Sequence, residues 1–403
     1  MRRFLLLPFI FLLIGGFLHA QELSGILTST HNYTAGAGDA PANSWGSEEY
    51  ANMRLTVKAG KKAVLYSAIN LIAASGNYLE NASMQGGANP DPSLASTSFV
   101  YGQNYAAAME LERLYFRING DYLDTEAGLL RINFGYGQVW GSSDFLNPRN
   151  PLFPDARPRG VLGMDCNFYP SDSLKIMAFA ASPKDPLQAR GGGFLPGLSL
   201  DKHWNKASVQ ALYSFETPLA DSPWGIHRFG LSVKADMVLG FVVDTLYTFD
   251  PNAAAGIEGL SLGSGFDYSF LGGDLYILFE YLFNGSASST AWNATSNLLG
   301  WGNHNYLYGT ALYRFNDYTS LALSTVFCFD DLSFSPFVTL SYDVFQGFNL
   351  SLTARLPLDE KTISGGRAGE LGPVPPDQPF NPDGSPGTMG SKLFVELVAS
   401  LRF

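Results

Sequence analysis

The sequence predicts an all-β protein, a transmembrane, antiparallel, up-and-down β-barrel. Three observations lead there. Period-two alternation of apolar and polar residues recurs along most of the chain. The connectors between these runs are short and long in turn. An apolar leader opens the chain, and no later apolar run reaches the ~18 residues that a membrane helix requires.

The leader is Met1-Arg2-Arg3, an apolar run from Phe4 to Phe17, then Leu18-His19-Ala20. A basic start, an apolar middle and a small residue at the cut are the marks of a secretory signal peptide over 1–20, leaving 21–403 as the barrel. No Cys stands at the cut, so a lipid anchor there is not expected. The composition agrees. Charged residues are 15%, aromatics 14% and glycines 43, which suits short strands, turns and aromatic girdles better than a helical enzyme. A net charge of −11 argues against nucleic acid as a partner. Cys166 and Cys328 are far apart in sequence, each in the middle of an expected strand, and are expected to be unpaired thiols.

Taken in order, the strands begin with 24–33, 48–57, 62–73, 109–118 and 123–134. They continue with 160–168, 174–180, 205–215, 228–237 and 240–249, and then 257–270, 275–283, 306–315, 321–329, 332–342 and 348–356. In 205–215 the row Ala207, Val209, Ala211, Tyr213, Phe215 opposes Lys206, Ser208, Gln210 and Ser214. The last strand, 392–403, sets Leu393, Val395, Leu397, Ala399, Leu401 and Phe403 against Lys392, Glu396, Ser400 and Arg402. Two such faces suit a wall with lipid on one side and a wet lumen on the other. Tight connectors stand at 59–61, 119–121, 169–172, 271–274, 316–318 and 345–347. Long ones stand at 34–47, 74–107, 135–159, 183–203, 284–304 and 358–390. Both chain ends on one rim require an even strand count. The phases of short and long connectors collide near 216–238. Reading 227–249 as one overlong strand gives sixteen, the favoured number; a further strand in 195–204 gives eighteen. Either leaves room for an aqueous channel.

Two stretches carry a resemblance. The terminal strand, with its alternate apolar residues and final Phe403, resembles the C-terminal strand of bacterial outer-membrane proteins. There that strand is the recognition signal for the barrel-assembly machinery. The run Trp140-Gly-Ser-Ser-Asp144-Phe-Leu-Asn147-Pro148-Arg149-Asn-Pro151 resembles a loop of several poorly characterised porin-like families, where it also follows a strand with a lumen-facing Arg, here Arg131. That likeness is sharp over about 131–180. It implies a porin-like channel in the outer membrane.

The loop 135–159 is stiffened by prolines and carries charges of both signs. Folded into the channel, it would narrow it and set a transverse field. Asp144, Arg149, Asp155, Arg157 and Arg159 are the expected constriction, facing Arg113, Arg117 and Arg131 on the wall. The opposite reading is a compact outer loop whose charges pair with one another. Lys234, Asp236, Glu280, Arg314 and Arg355 are further lumen-wall residues, because charge on the lipid face is costly. Glu110 and Glu112 fall on one face with Arg113 and Arg117 on the other, which requires a bulge or a strand end. His31, His203, His227 and His304 are the histidines of the mature chain; none is accompanied by a positioned nucleophile or acid, so no enzyme is expected. No phosphate loop, zinc spacing or calcium loop points to a cofactor.

The expected function is passive diffusion of small polar solutes. The alternatives are a substrate-specific transporter, including one for a hydrophobic molecule, and an adhesion or structural barrel with a closed lumen. About 380 residues cannot hold the plug and the ~22 strands of a TonB-dependent transporter. Outer-membrane lipid, the assembly machinery, small solutes and two further copies in a homotrimer are the expected partners.

Overall fold

The structure is a computed structural model, described over residues 20–36, 44–76, 96–101, 105–146, 160–182, 194–218, 224–251, 256–287, 302–364, 369–371 and 391–403. The expected signal peptide lies outside these but for Ala20. The strands are β1 (Ala20–Gly36), β2 (Ser44–Ala59), β3 (Ala63–Gly76), β4 (Ser96–Tyr101), β5 (Tyr105–Asn119), β6 (Leu123–Leu130), β7 (Val161–Ser171), β8 (Leu174–Ser182), β9 (Leu195–His203) and β10 (Ala207–Glu216). They continue as β11 (Ile226–Asp236), β12 (Gly240–Phe249), β13 (Leu260–Phe270), β14 (Leu275–Asn284), β15 (Asn305–Arg314), β16 (Thr319–Cys328), β17 (Phe334–Phe345), β18 (Phe348–Arg355) and β19 (Ser391–Arg402). All nineteen belong to one antiparallel sheet, and β19 pairs with β1 to close it. The short β4 pairs only with residues 106–110 of β5, a stretch β6 does not reach, while β3 and β6 each pair with β5 directly, so the closed wall has eighteen strands without it.

At the seam Gly25 N–H donates to the Phe403 carbonyl at 2.9 Å, and Phe403 N–H donates back at 3.1 Å. Glycine suits the position, because a Cβ on Gly25 would lie 2.6 Å from the backbone carbonyl oxygen of Asn52 and would press on the Phe403 ring. A sheet without edges is the only way strands can cross lipid. Among the described residues no helix is long and apolar enough to do so.

Eighteen strands correct the favoured count of sixteen. The alternative strand at 195–204 is β9. Pro196 and Gly197 are poor strand formers and hide it; Gly197 is there because the Phe179 ring covers it, 2.2 Å from where a Cβ would stand. The stretch 227–249 is two strands joined through Met237-Val238-Leu239. Its apolar parity runs unbroken because the hairpin pairs Ala235 with Phe241 and Val233 with Val243, odd with odd. A turn of that length preserves parity, so alternation alone cannot detect it. Two smaller corrections follow. The strand expected over 123–134 ends at Leu130, and Lys206 lies in the turn before β10.

The register decides which side chains share the lumen. Outward, β11, β13, β16, β17 and β18 expose Leu231, Phe266, Leu323, Val338 and Leu352. Inward lie buried polar residues such as Asn52, Asn70, Ser232, Asp244 and Glu280. The conflict of faces at 110–117 is resolved by a bulge. Ala68 pairs with Arg113 and Ile69 with Leu111, leaving Glu112 as the extra residue. One extra residue flips the phase, and Glu110, Glu112, Arg113 and Arg117 all turn inward. Both cysteines are free, Cys166 half-buried on the outward face and Cys328 buried inside.

Candidate functional site: a loop held inside the lumen

The chain leaves the wall at Arg131 and runs along the inside of the barrel. Residues 131–140 travel from β6 to the wall of β14–β17, and 141–146 return toward β8–β11. Five consecutive backbone N–H groups hold this excursion, donating to two wall carboxylates. Tyr136 N–H lies 3.0 Å from Asp244 Oδ1 and Gly137 N–H 2.6 Å from Asp244 Oδ2. Gln138, Val139 and Trp140 N–H groups donate to Glu280 at 2.9, 3.1 and 2.8 Å. The Trp140 indole N–H adds a bond to the Glu280 carbonyl at 2.9 Å. Both acids are 1% exposed. A buried carboxylate is tolerated when its lone pairs are filled, and charge-assisted bonds are the strong ones. Gly135 lets the backbone come this close: its φ is +81°, and a Cβ would meet Ser143 Oγ at 2.1 Å and Asp244 Oδ2 at 2.6 Å.

Two apolar clusters complete the attachment. Ile132, Phe134 and Phe145 pack on Met177, Phe179, Leu195, Leu212 and Leu246 of the wall. Trp140, wholly buried, packs with Leu282, Tyr306, Val326, Cys328 and Phe337. Leu371 joins this second cluster from the connector before β19. Its neighbour Glu370 accepts from Gly302 N–H and Asn303 Nδ2 at 2.8 and 2.9 Å and from the Tyr306 hydroxyl. Burial pushes the Glu370 carboxyl up, while the Tyr306 bond pulls it down. Cys328, Asp331 and Glu370 bring potential metal-ligand atoms within 4.8 Å of one another. Yet all four carboxylate oxygens already accept from Ser333, Asn303, the Glu370 N–H, Gly302 or Tyr306, so the group clamps loops together.

The wall of β2, β3, β5 and β6 has no loop bound to it by backbone donors among the described residues. Here side chains bind side chains. Asn52 Nδ2 donates to Glu112 and Asn70 at 2.6 Å each, and Asn70 Nδ2 donates to Glu110 at 3.0 Å. Arg131 reaches Glu112 at 2.7 Å and Arg113 reaches the same oxygen at 3.3 Å, with the Arg113 guanidinium 5.2 Å above the Tyr66 ring. Arg117 bonds Glu126 at 2.5 Å. These arginines keep 21%, 40% and 23% side-chain exposure for Arg113, Arg117 and Arg131, so they remain open to water.

Of the other residues singled out in the sequence, Lys234 and Asp236 pair with each other at 3.3 Å. Arg314 points inward at the foot of β15. Arg355 lies between the Phe337 and Phe394 rings, 5.8 and 5.3 Å from their centroids. Asp144 is on the returning limb itself and is 1% exposed, so it does not face the open lumen. Arg149, Asp155, Arg157 and Arg159 lie outside the described residues. Asp244, Tyr136 and Gly135 were not singled out in the sequence. The available signal was an acid inside the apolar run Phe241-Val-Val-Asp-Thr-Leu246, together with a Gly-Tyr-Gly at 135–137. His227 belongs to an aromatic group on the outward face, with Tyr213 and Phe215. His304 bonds the Asn284 carbonyl at 2.8 Å.

No protein-family model matches this chain, and no curated protein matches it in sequence. Its fold is similar to OccAB4 of Acinetobacter baumannii, at a TM-score of 0.55 and 12% identity over 96% of this chain and 98% of that one. It is also similar to OccK8 (OprE) of Pseudomonas aeruginosa, at 0.54 and 9% over 96% and 99%. A BenF-like porin from Pseudomonas fluorescens Pf-5 aligns at 0.53 and 9% over 96% and 100%. At such identity the likeness is one of fold. With a closed wall, apolar outside and polar within, it defines the fold class: a closed, porin-like transmembrane β-barrel.

Proposed function

We propose that this protein is a channel for passive diffusion of small polar solutes, narrowed by the 131–159 loop. The supporting observation is the row of five backbone N–H donors bound to Asp244 and Glu280. So many charge-assisted bonds keep a loop in the lumen instead of over its mouth. The similar fold of a BenF-like porin supports a channel over an enzyme. On this reading Arg149, Asp155, Arg157 and Arg159, further along the loop, line the narrow part opposite Arg113, Arg117 and Arg131. Asp144, buried within the loop, does not line the passage. Residues 1–20 direct export, the strand ending in Phe403 is read by the barrel-assembly machinery, and the barrel works as a homotrimer.

Planar-bilayer recording of the refolded mature chain tests the reading. Uniform conductance steps are expected. Replacing 132–146 by a short linker should enlarge them, and neutralising Arg149 should move the reversal potential in a salt gradient toward cation preference. A folded barrel that passes no current in either form would overturn it.

A further inference from the structure

Two of the wall arginines are held by rings as well as by acids. Tyr66 of β3 pairs directly with Tyr115 of β5. Leu114 and Phe116 face out, so Tyr115 turns inward, with Arg113 and Arg117 two residues to either side of it. The Tyr66 and Tyr115 rings stack, 5.1 Å apart and inclined by 24°. The Arg113 guanidinium lies 5.2 Å from the Tyr66 centroid, and that of Arg117 lies 5.6 Å from the Tyr115 centroid. Arg113, Tyr66, Tyr115 and Arg117 thus form one run of contacts along the wall, with a cation at each end. The acids hold these two cations unequally. Arg117 donates to Glu126 twice, from Nε at 2.6 Å and from Nη2 at 2.5 Å. Among the described residues, Arg113 has one carboxylate contact, at 3.3 Å, to a Glu112 oxygen that Arg131 already takes at 2.7 Å. The Arg113 Nε is buried without a partner.

A guanidinium over an aromatic face is attracted by the ring quadrupole, whereas a charge-assisted bond beyond the usual ~2.7–2.9 Å is a weak one. For Arg117 the firmer support is therefore Glu126; for Arg113 it is the Tyr66 ring. The two supports differ in what they leave of the charge. A carboxylate cancels the field of the cation that it binds, but a ring carries no net charge and leaves that field intact. We infer that Tyr66 is a positioning residue for ion selectivity. Its ring keeps the Arg113 guanidinium from settling on Glu112, so that an uncompensated positive charge faces the water path. Tyr115 fixes the Tyr66 ring through the stack. Without the ring, Arg113 falls onto Glu112 and the wall loses part of its preference for anions. The inference rests on the channel reading above, with Arg113 beside the water path.

Reversal potentials of the full mature chain in a KCl gradient test it, with heat-modifiable migration showing that each variant is folded. Tyr66→Leu should move the potential toward cations by most of the shift that Arg113→Gln produces, with little change in step size. Tyr66→Phe, which keeps the ring, should hold the wild-type value. In an Arg113→Gln background, Tyr66→Leu should add nothing further. An unchanged potential in Tyr66→Leu would overturn the role of Tyr66. A shift as large in Tyr66→Phe would show that the hydroxyl acts and not the ring, and would overturn it too. A second measurement needs no current. In urea unfolding of the barrel in lipid, Tyr66→Leu and Arg113→Gln should be coupled by about two- to fivefold in the equilibrium constant. Additive effects there would overturn the contact itself. A wild-type barrel that passes no current fails the channel reading and takes the selectivity role with it. Ordinary conductance steps with additive variants fail this inference alone.

Discussion

Two arcs of the lumen wall use inward acids in opposite ways. On β12 and β14, Asp244 and Glu280 are buried and spend their lone pairs on backbone N–H groups of the inner loop. On β5 and β6, Glu112 and Glu126 spend theirs on Arg131, Arg113 and Arg117, which stay partly in water. Backbone donors belong to a rigid chain, so the first arc fixes where a loop runs. Side-chain donors are long and partly solvated, so the second arc holds charge at the edge of the aqueous space. Equal sequence signals, an acid at an inward strand position, thus become scaffold in one place and electrostatic surface in the other.

The largest effect is expected from Glu280→Ala, which orphans the buried Trp140 N–H at about 1–3 kcal/mol and the part-buried Gln138 and Val139 N–H groups at less. The loop should leave the wall, single-channel conductance should rise, and protease should nick within 131–146. Wild-type conductance and resistance would break the distinction between the arcs. Asp244→Asn should follow at about 1.5–3 kcal/mol, since an amide accepts less strongly and offers its own hydrogens to the Gly137 N–H. Flickering conductance with an intact barrel is the expected record. Gly135→Ala should cost about 1–3 kcal/mol, because a Cβ meets Ser143 and a φ of +81° disfavours alanine. Its denaturation midpoint and current noise should sit between those of wild type and Asp244→Asn. Arg117→Gln on the other arc should cost at most about 1 kcal/mol, as an exposed pair does. It should leave conductance steps stable and move the reversal potential toward cations. A large loss of barrel stability there would show that the second arc is scaffold too.

Much of the architecture was legible. Alternation such as Phe348, Leu350, Leu352, Ala354 against Asn349, Ser351, Thr353, Arg355 specifies a strand and its faces without reference to the rest of the chain, because the strand period is local. The inward charges followed from the cost of ions in lipid. What escaped was of two kinds. The turn at 237–239 kept parity, and β9 was masked by Pro196 and Gly197, so local pattern pointed to sixteen strands. The bulge at Glu112 was visible only as a contradiction, and the register with β3 resolved it.

The chain alone determined that this is a lipid-facing, polar-lined, closed β wall with a Pro-rich charged loop in its third long connector, since these depend on composition and near-neighbour period. Only the tertiary structure decided that the wall closes at eighteen strands and that Glu280 meets Trp140 across 140 residues of sequence. It also decided that Asp144 is buried. These are matters of register and of contacts between distant segments, where several partners are equally plausible by chemistry and only closure of the ring selects one.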